Sequence, residues 1–217
     1  DADIVDLETV FTNFDGINYA KGASALRQLV AFVGEQDFLR GLRNYFSHYA
    51  WSNTSLSDLL AELADASGRD LSQWTQQWLQ TSGVNLLRAA IADAPDGGMA
   101  EVTVVQSPPA LPEGVAPTLR DHRIAIGVYN FDGAALTRTE RIELDVTGAQ
   151  TPVPALSDRA RPDLLLLNDD LTFAKIRLDA RSLETVTAHF GGVADPLARA
   201  LLWGAMWDMT RDGEIST

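Results

Sequence analysis

Arg123-Ile124-Ala125-Ile126-Gly127-Val128 and Arg141-Ile142-Glu143-Leu144-Asp145-Val146 each place a branched apolar residue at every second position. A period of two puts those side chains on one face of an extended strand. The residues between the two runs include Asp132-Gly133, a pair suited to a tight turn. The stretch therefore predicts two antiparallel strands, and the rest of the fold is read outward from it.

The same period extends from Leu86 to Asp179, with candidate strands at 86–92, 100–106, 120–130, 135–146, 150–156, 163–168 and 172–178. Asp96-Gly97-Gly98, Thr147-Gly148 and Asn168-Asp169-Asp170 supply further turns. Seven short strands in about 95 residues predict a β-sandwich of two packed antiparallel sheets. Its inward residues include Ile124, Ile126, Val128, Ile142, Leu144 and Val146. A pattern that closes without its flanks predicts a domain that folds when excised. The loop Ser107-Pro108-Pro109-Ala110-Leu111-Pro112 is too rich in proline to pair within a sheet.

The flanks read as helix. All five tryptophans (Trp51, Trp74, Trp78, Trp203, Trp207) lie outside 86–180, whereas eight of the nine prolines fall between Pro95 and Pro162. Ala23, Leu26, Leu29, Val30 and Val33 recur at helical spacing before a stop at Gly34. Phe38, Leu39, Leu42, Tyr45 and Phe46 share one face of a second helix. Ser55-Leu56-Ser57-Asp58 resembles a capping box ahead of Leu59, Leu60 and Leu63, with Gly68 as the stop. Asp70 then caps a helix striped by Leu71, Trp74, Trp78 and Leu79. The aromatics at these spacings read as core packing. At the other end Ser182 caps a helix running to His189, and Asp195-Pro196 starts another, in which Leu197, Leu201, Trp203, Met206 and Trp207 cover much of the circumference. Such a helix needs neighbours on more than one side, so 181–217 reads as the start of a further helical domain.

The chain has 217 residues, 46% of them apolar and 22% charged, enough for one large or two small domains with a substantial core. Its 17 Lys+Arg and 30 Asp+Glu give a formal net charge of −13, which repels phosphate backbones and anionic lipid. Nucleic acid and membrane are therefore not expected partners. The absence of cysteine excludes disulfides, thiolate metal sites and a cysteine nucleophile, and it fits a cytoplasmic location. The opening Asp1-Ala2-Asp3 reads as the cut edge of something longer. His48, His122 and His189 are dispersed, and neither HExxH, a G-x-S-x-G elbow nor a phosphate-binding loop occurs. Asp163, Asp169 and Asp170 fit solvated turns better than a calcium site. Without comparison to other proteins, no complete active site is visible.

One segment carries more. Asn13-Phe14-Asp15-Gly16-Ile17-Asn18-Tyr19-Ala20-Lys21-Gly22-Ala23-Ser24-Ala25-Leu26-Arg27 closely resembles a signature of the zinc metallopeptidase (gluzincin) family that contains aminopeptidase N. Phe38-Leu39-Arg40-Gly41-Leu42-Arg43-Asn44-Tyr45-Phe46, Asn53-Thr54-Ser55-Leu56-Ser57-Asp58-Leu59, and Trp74, Trp78 and Gly83-Val84 are similar to the features that follow in that family, in the same order.

The resemblance implies a multi-domain α+β fold. Residues 1–85 would be the all-α tail of a thermolysin-like catalytic domain, 86–180 a β-sandwich domain, and 181–217 the truncated start of a C-terminal helical domain. It implies a parent enzyme that hydrolyses N-terminal residues from peptides with free N-termini, using one zinc ion. It also implies that Tyr19 donates its phenol to the oxyanion of the tetrahedral intermediate, while Lys21 and Gly22 serve structure, Gly22 by admitting a close helix. A phenol with a pKa near 10 remains a donor at neutral pH. The HExxH ligands and general-base glutamate have no counterpart here, so the chain by itself is expected to bind no zinc and to be inactive without its missing domains. Two other readings stand beside this one: a non-catalytic scaffold or interaction relative, and a β-sandwich binding module with helical flanks.

Overall fold

A computed structural model of the protein describes residues 5–12, 16–110, 113–114 and 116–216. The start of the signature, Asn13-Phe14-Asp15, and Leu111-Pro112 of the proline loop lie outside the described residues. The chain divides into two compact units, one ending at Thr81 and the other beginning at Ser82.

The first unit is helical: α1 (Leu7–Thr12), α2 (Gly16–Val33), α3 (Glu35–His48), α4 (Leu56–Ser67) and α5 (Ser72–Leu79). Gly34 takes a φ of 91° between α2 and α3, a conformation that favours glycine. The Asp58 carboxylate accepts the Ser55 backbone N–H at 2.7 Å, as the capping box predicts, and Gly68 closes α4 in the left-handed region. Asp70 accepts the Ser72 amide at 2.8 Å at the start of α5. Leu29, Val33, Leu60, Leu63, Leu71, Trp74 and Trp78 form one apolar core. The faces read from spacing are only partly inside, because Leu26, Leu39 and Phe46 are exposed. The close approach between helices falls at Gly41, not at Gly22. A Cβ on Gly41 would lie 2.8 Å from Leu63 Cδ2 and 3.0 Å from the Glu62 carbonyl oxygen, while one on Gly22 would meet nothing within 4 Å among the described residues.

The second unit contains β1 (Leu86–Asp93), β2 (Met99–Ser107), β3 (His122–Asp132), β4 (Ala135–Val146), β5 (Gln150–Pro152), β6 (Leu164–Asn168) and β7 (Lys175–Arg177), followed by α6 (Ala180–His189) and α7 (Pro196–Arg211). One sheet has the order β5-β2-β1-β7 and the other β4-β3-β6. The β3–β4 hairpin pairs Ile124 with Leu144 and Ile126 with Ile142. Leu87, Val102 and Val104 of the first sheet share a core with Ile124, Ile126, Val128, Val146, Leu165 and Leu167 of the second, and Ile142 and Leu144 pack against it. Pro152 and Pro154 lack the N–H a ladder requires, so β5 gives way to a 3₁₀ turn at Pro154–Leu156.

The structure corrects three sequence expectations in this unit. First, the sheets are not wholly antiparallel. After Asn168, Asp169 and Asp170, all at positive φ, the chain crosses to the other sheet, and β7 pairs parallel with β1, Leu87 opposite Ile176. Second, α6 begins at Ala180 with Asp179 as its N-cap; Ser182 lies inside the helix, where its hydroxyl donates to Asp179 and its Oγ accepts the Leu165 amide at 2.9 Å. Third, the sheets do not close without their flank. Tyr129, Leu136, Leu164 and Leu166 on the outer face of the β4-β3-β6 sheet are buried against Leu178, Val186, Val193, Ala198, Leu202 and Met209. Residues 181–217 thus belong to the same compact unit as the sheets.

Helix α7 is capped by Asp195, which accepts the Leu197 amide at 2.9 Å. Its buried face is Ala198, Leu202, Ala205 and Met209, whereas Trp203 and Trp207 are 66% and 59% exposed. Its end is tied to β7 by Arg177, which pairs with Asp212 and, at 2.7 Å, Glu214, and by Lys175, 2.8 Å from Asp212.

Candidate functional site

Tyr19 is the fourth residue of α2 and is 63% exposed. The helix that carries it is fixed farther along by Gln28, Leu29 and Val33, all buried in the first unit. An anchored helix fixes the Tyr19 backbone while its side chain stays accessible. Lys21 lies two residues on, within the same helix.

The histidines go to three separate tasks. His48 Nδ1 lies 2.6 Å from Glu62 Oε1. His189 meets the edge of the Phe131 ring, with centroids 5.0 Å apart. His122 is fully buried in a polar network inside the second unit. There the Gln106 Nε2 donates to the carbonyls of Arg120 and Gly148 at 3.0 and 2.9 Å, which fixes the amide so that Oε1 is its acceptor. His122 Nε2, 3.1 Å from that oxygen, is therefore the donor, and Nδ1 accepts the Thr172 hydroxyl at 2.7 Å. Burial, with the Arg120 charge as a second cause, pushes the imidazole pKa down to about 3, so the ring is neutral at physiological pH. The Arg120 guanidinium continues the network to Asn85 Oδ1 at 2.5 Å and the Ser82 carbonyl at 3.0 Å.

The sequence reading named none of Gln106, Arg120, Asn85 and Thr172. The available signal was phase: Gln106 falls in step with Val102 and Val104, and His122 with Ile124 and Ile126, which places polar groups on inward positions. Asp163 accepts the Phe131 amide at 3.0 Å, and Asp169 pairs with Arg138 and Arg141, so these aspartates hold turns and ion pairs. Among the described residues no three His, Cys, Asp or Glu side chains come together in a way that could hold a metal ion, and no helix is long and apolar enough to cross a membrane.

Residues 3–78 match the Peptidase family M1 domain. Over 220 aligned residues the chain is 54% identical to aminopeptidase N of Streptomyces lividans, covering 100% of this chain and 26% of that protein. It is 36% identical to leucyl aminopeptidase of Saccharolobus solfataricus over 92 residues, 42% of this chain and 12% of that one. The chain thus spans about a quarter of the first relative and less of the second. Among solved structures, aminopeptidase A of Legionella pneumophila in complex with aspartic acid superposes with a TM-score of 0.67, at 17% identity, over 96% of this chain and 23% of that one. That likeness concerns the fold alone. The family domain occupies the helical unit that carries Tyr19, and the identity to aminopeptidase N runs through both units, so the chain belongs to the metallopeptidase family M1.

Proposed function

We propose that the chain is part of a zinc-dependent aminopeptidase that removes N-terminal residues from peptides, and that Tyr19 is the group within it that serves the reaction. The observation that carries this reading is an exposed phenol on an anchored helix, inside the segment that matches the family M1 domain. In this reading the helical unit is the tail of the catalytic domain and 86–180 the β-sandwich domain, with α6 and α7 of 181–217 packed on the sandwich and leading into a C-terminal helical domain. The parent acts in the cytoplasm on peptides with free N-termini.

The described residues do not form a metal-binding group, so they do not fit zinc, and no step is assigned through it. The role assigned to this chain is narrower. When the peptide carbonyl becomes tetrahedral, its oxygen gains negative charge. The Tyr19 O–H donates a hydrogen bond to that oxygen. The bond is stronger to the oxyanion than to the ground-state carbonyl, so it lowers the barrier. The chain on its own supplies this donor without the rest of the site and is inactive.

The test is Tyr19→Phe in the full-length enzyme, which removes the hydroxyl and keeps the ring. It lowers kcat by about 10²–10³ with little change in melting temperature. Near-normal turnover would leave Tyr19 as a surface residue and remove the reading's main support.

A further inference from the structure

In a protein with thirteen more acidic than basic side chains, three arginines line one open cavity of the second unit. The cavity has a volume of about 360 Å³ and is lined by Arg159, Arg161 and Arg181 together with Asp96, whose Oδ1 accepts the Gly98 amide at 3.0 Å, and Asp158. Its wall is built rather than incidental. Met99 donates its backbone N–H to the Arg159 carbonyl at 2.7 Å, which docks the β1–β2 turn onto the segment before β6. The docking depends on Gly98, where a Cβ would lie 2.8 Å from that same carbonyl oxygen.

The arginines are held, not saturated. Arg161 reaches Asp93 at 3.1 Å and Asp179 at 2.8 Å, Arg181 reaches Asp163 at 3.1 Å, and Arg159 reaches Glu140 at 2.6 Å and the Ala155 carbonyl at 3.0 Å. A guanidinium has five N–H donors in a planar fork, so these bonds orient each one while leaving donors for a guest. The four carboxylates behind the arginines, with Asp96 and Asp158, outnumber the guanidiniums. A dianion such as phosphate is disfavoured by that surplus. A molecule with one carboxylate and one ammonium satisfies both sets of groups.

We propose that this cavity binds a small zwitterion with its two charges on one short backbone, a free amino acid or a short peptide. Its carboxylate sits on the arginines and its ammonium faces Asp96 and Asp158. The volume is at the small end of ligand sites and fits a guest of that size. The inference rests on the lining alone and stands whether or not Tyr19 is catalytic.

The test titrates the isotope-labelled 217-residue chain with alanine and with alanyl-alanine, and follows the backbone amides of 94–99 and 158–161. Binding of either shifts these amides, and the comparison tells the amino acid from the peptide. N-acetyl-alanine and alaninamide, each lacking one charge, bind about tenfold more weakly, and so does inorganic phosphate. The double variant Arg159→Gln/Arg181→Gln loses about tenfold in affinity with an unchanged circular-dichroism spectrum. These arginines are partly exposed, so the fold does not depend on them; should the variant misfold, the ligand series on the natural chain still decides. Absence of shifts with both zwitterions overturns the proposal. Equal binding of the acetylated compound or phosphate also overturns it, by making the cavity a plain anion site.

Discussion

Protonating His122 is the cleanest way to ask whether the buried network holds the second unit together. Its imidazole has a folded pKa of about 3 against an ordinary value of 6.5. Between those values the unfolded chain binds a proton at this residue that the folded chain refuses. Stability therefore rises with pH across the window from 3 to 6.5. The contribution is fully present above pH 6.5 and is lost progressively as the pH falls towards 3. The slope is about 1.4 kcal/mol per pH unit, so the step from pH 7 to pH 4 removes about 3 kcal/mol, a large share of a typical domain's stability.

Carboxylates titrate in the same range, so the decisive measurement is a difference. His122→Gln keeps a neutral group able to donate to Gln106 and accept from Thr172, and it cannot ionise. Hydrogen exchange of β3 amides such as Ile126, in urea at several pH values, reports the stability of this unit. The variant is less stable than the natural protein at pH 7, by about 1–2 kcal/mol for an imperfectly replaced buried hydrogen-bonding group, and the gap closes or reverses by pH 4. Parallel pH dependences in the two proteins would mean that His122 titrates in the folded state much as it does in water, and the account of its burial would be wrong.

Two further outcomes follow from packing. Gly41→Ala destabilises the helical unit by about 1–2 kcal/mol, because two of the contacts a Cβ would make are with the α4 backbone and outweigh alanine's helix preference; a urea midpoint at or above the natural value refutes the close crossing. Residues 82–180 expressed alone bind hydrophobic dye and give a collapsed NMR spectrum, whereas 82–217 folds, since the shorter piece uncovers Tyr129, Leu136, Leu164 and Leu166; a well-dispersed spectrum from the shorter piece sinks that argument.

The hairpin at 122–146 was legible because one phase of each strand is apolar and the turn between them is short. The helix stops at Gly34 and Gly68 were legible because each takes a positive φ. What escaped was partner choice. Leu164 to Leu167 is a continuous apolar run, which signals a strand covered on both faces, yet nothing local says that α6 and α7 supply the second cover. On α7 the pattern singles out Leu197, Leu201, Trp203, Met206 and Trp207, of which Leu201 and Met206 pack at the edge, while the buried residues are Ala198, Leu202, Ala205 and Met209. Small side chains let the helix approach the sheet, and spacing alone does not rank them above tryptophan. Tyr19 became legible only through the family signature. By pattern it is one aromatic near a helix start.

The placement of the tryptophans gives the two units unequal optical voices. Trp74 and Trp78 are buried and stacked with ring centroids 6.4 Å apart, so melting the helical unit moves both indoles into water and red-shifts their emission. Their coupled transitions also give near-ultraviolet ellipticity that vanishes with the stack. Trp203 and Trp207 are already mostly in water while the second unit is folded, and Trp51 is fully exposed in the first. Unfolding of the sandwich and its two helices thus changes tryptophan fluorescence less than melting the helical unit does. A single smooth fluorescence transition for this protein reports chiefly the collapse of α2–α5, whereas the sheets reveal themselves more directly through Tyr129, amide exchange or far-ultraviolet ellipticity.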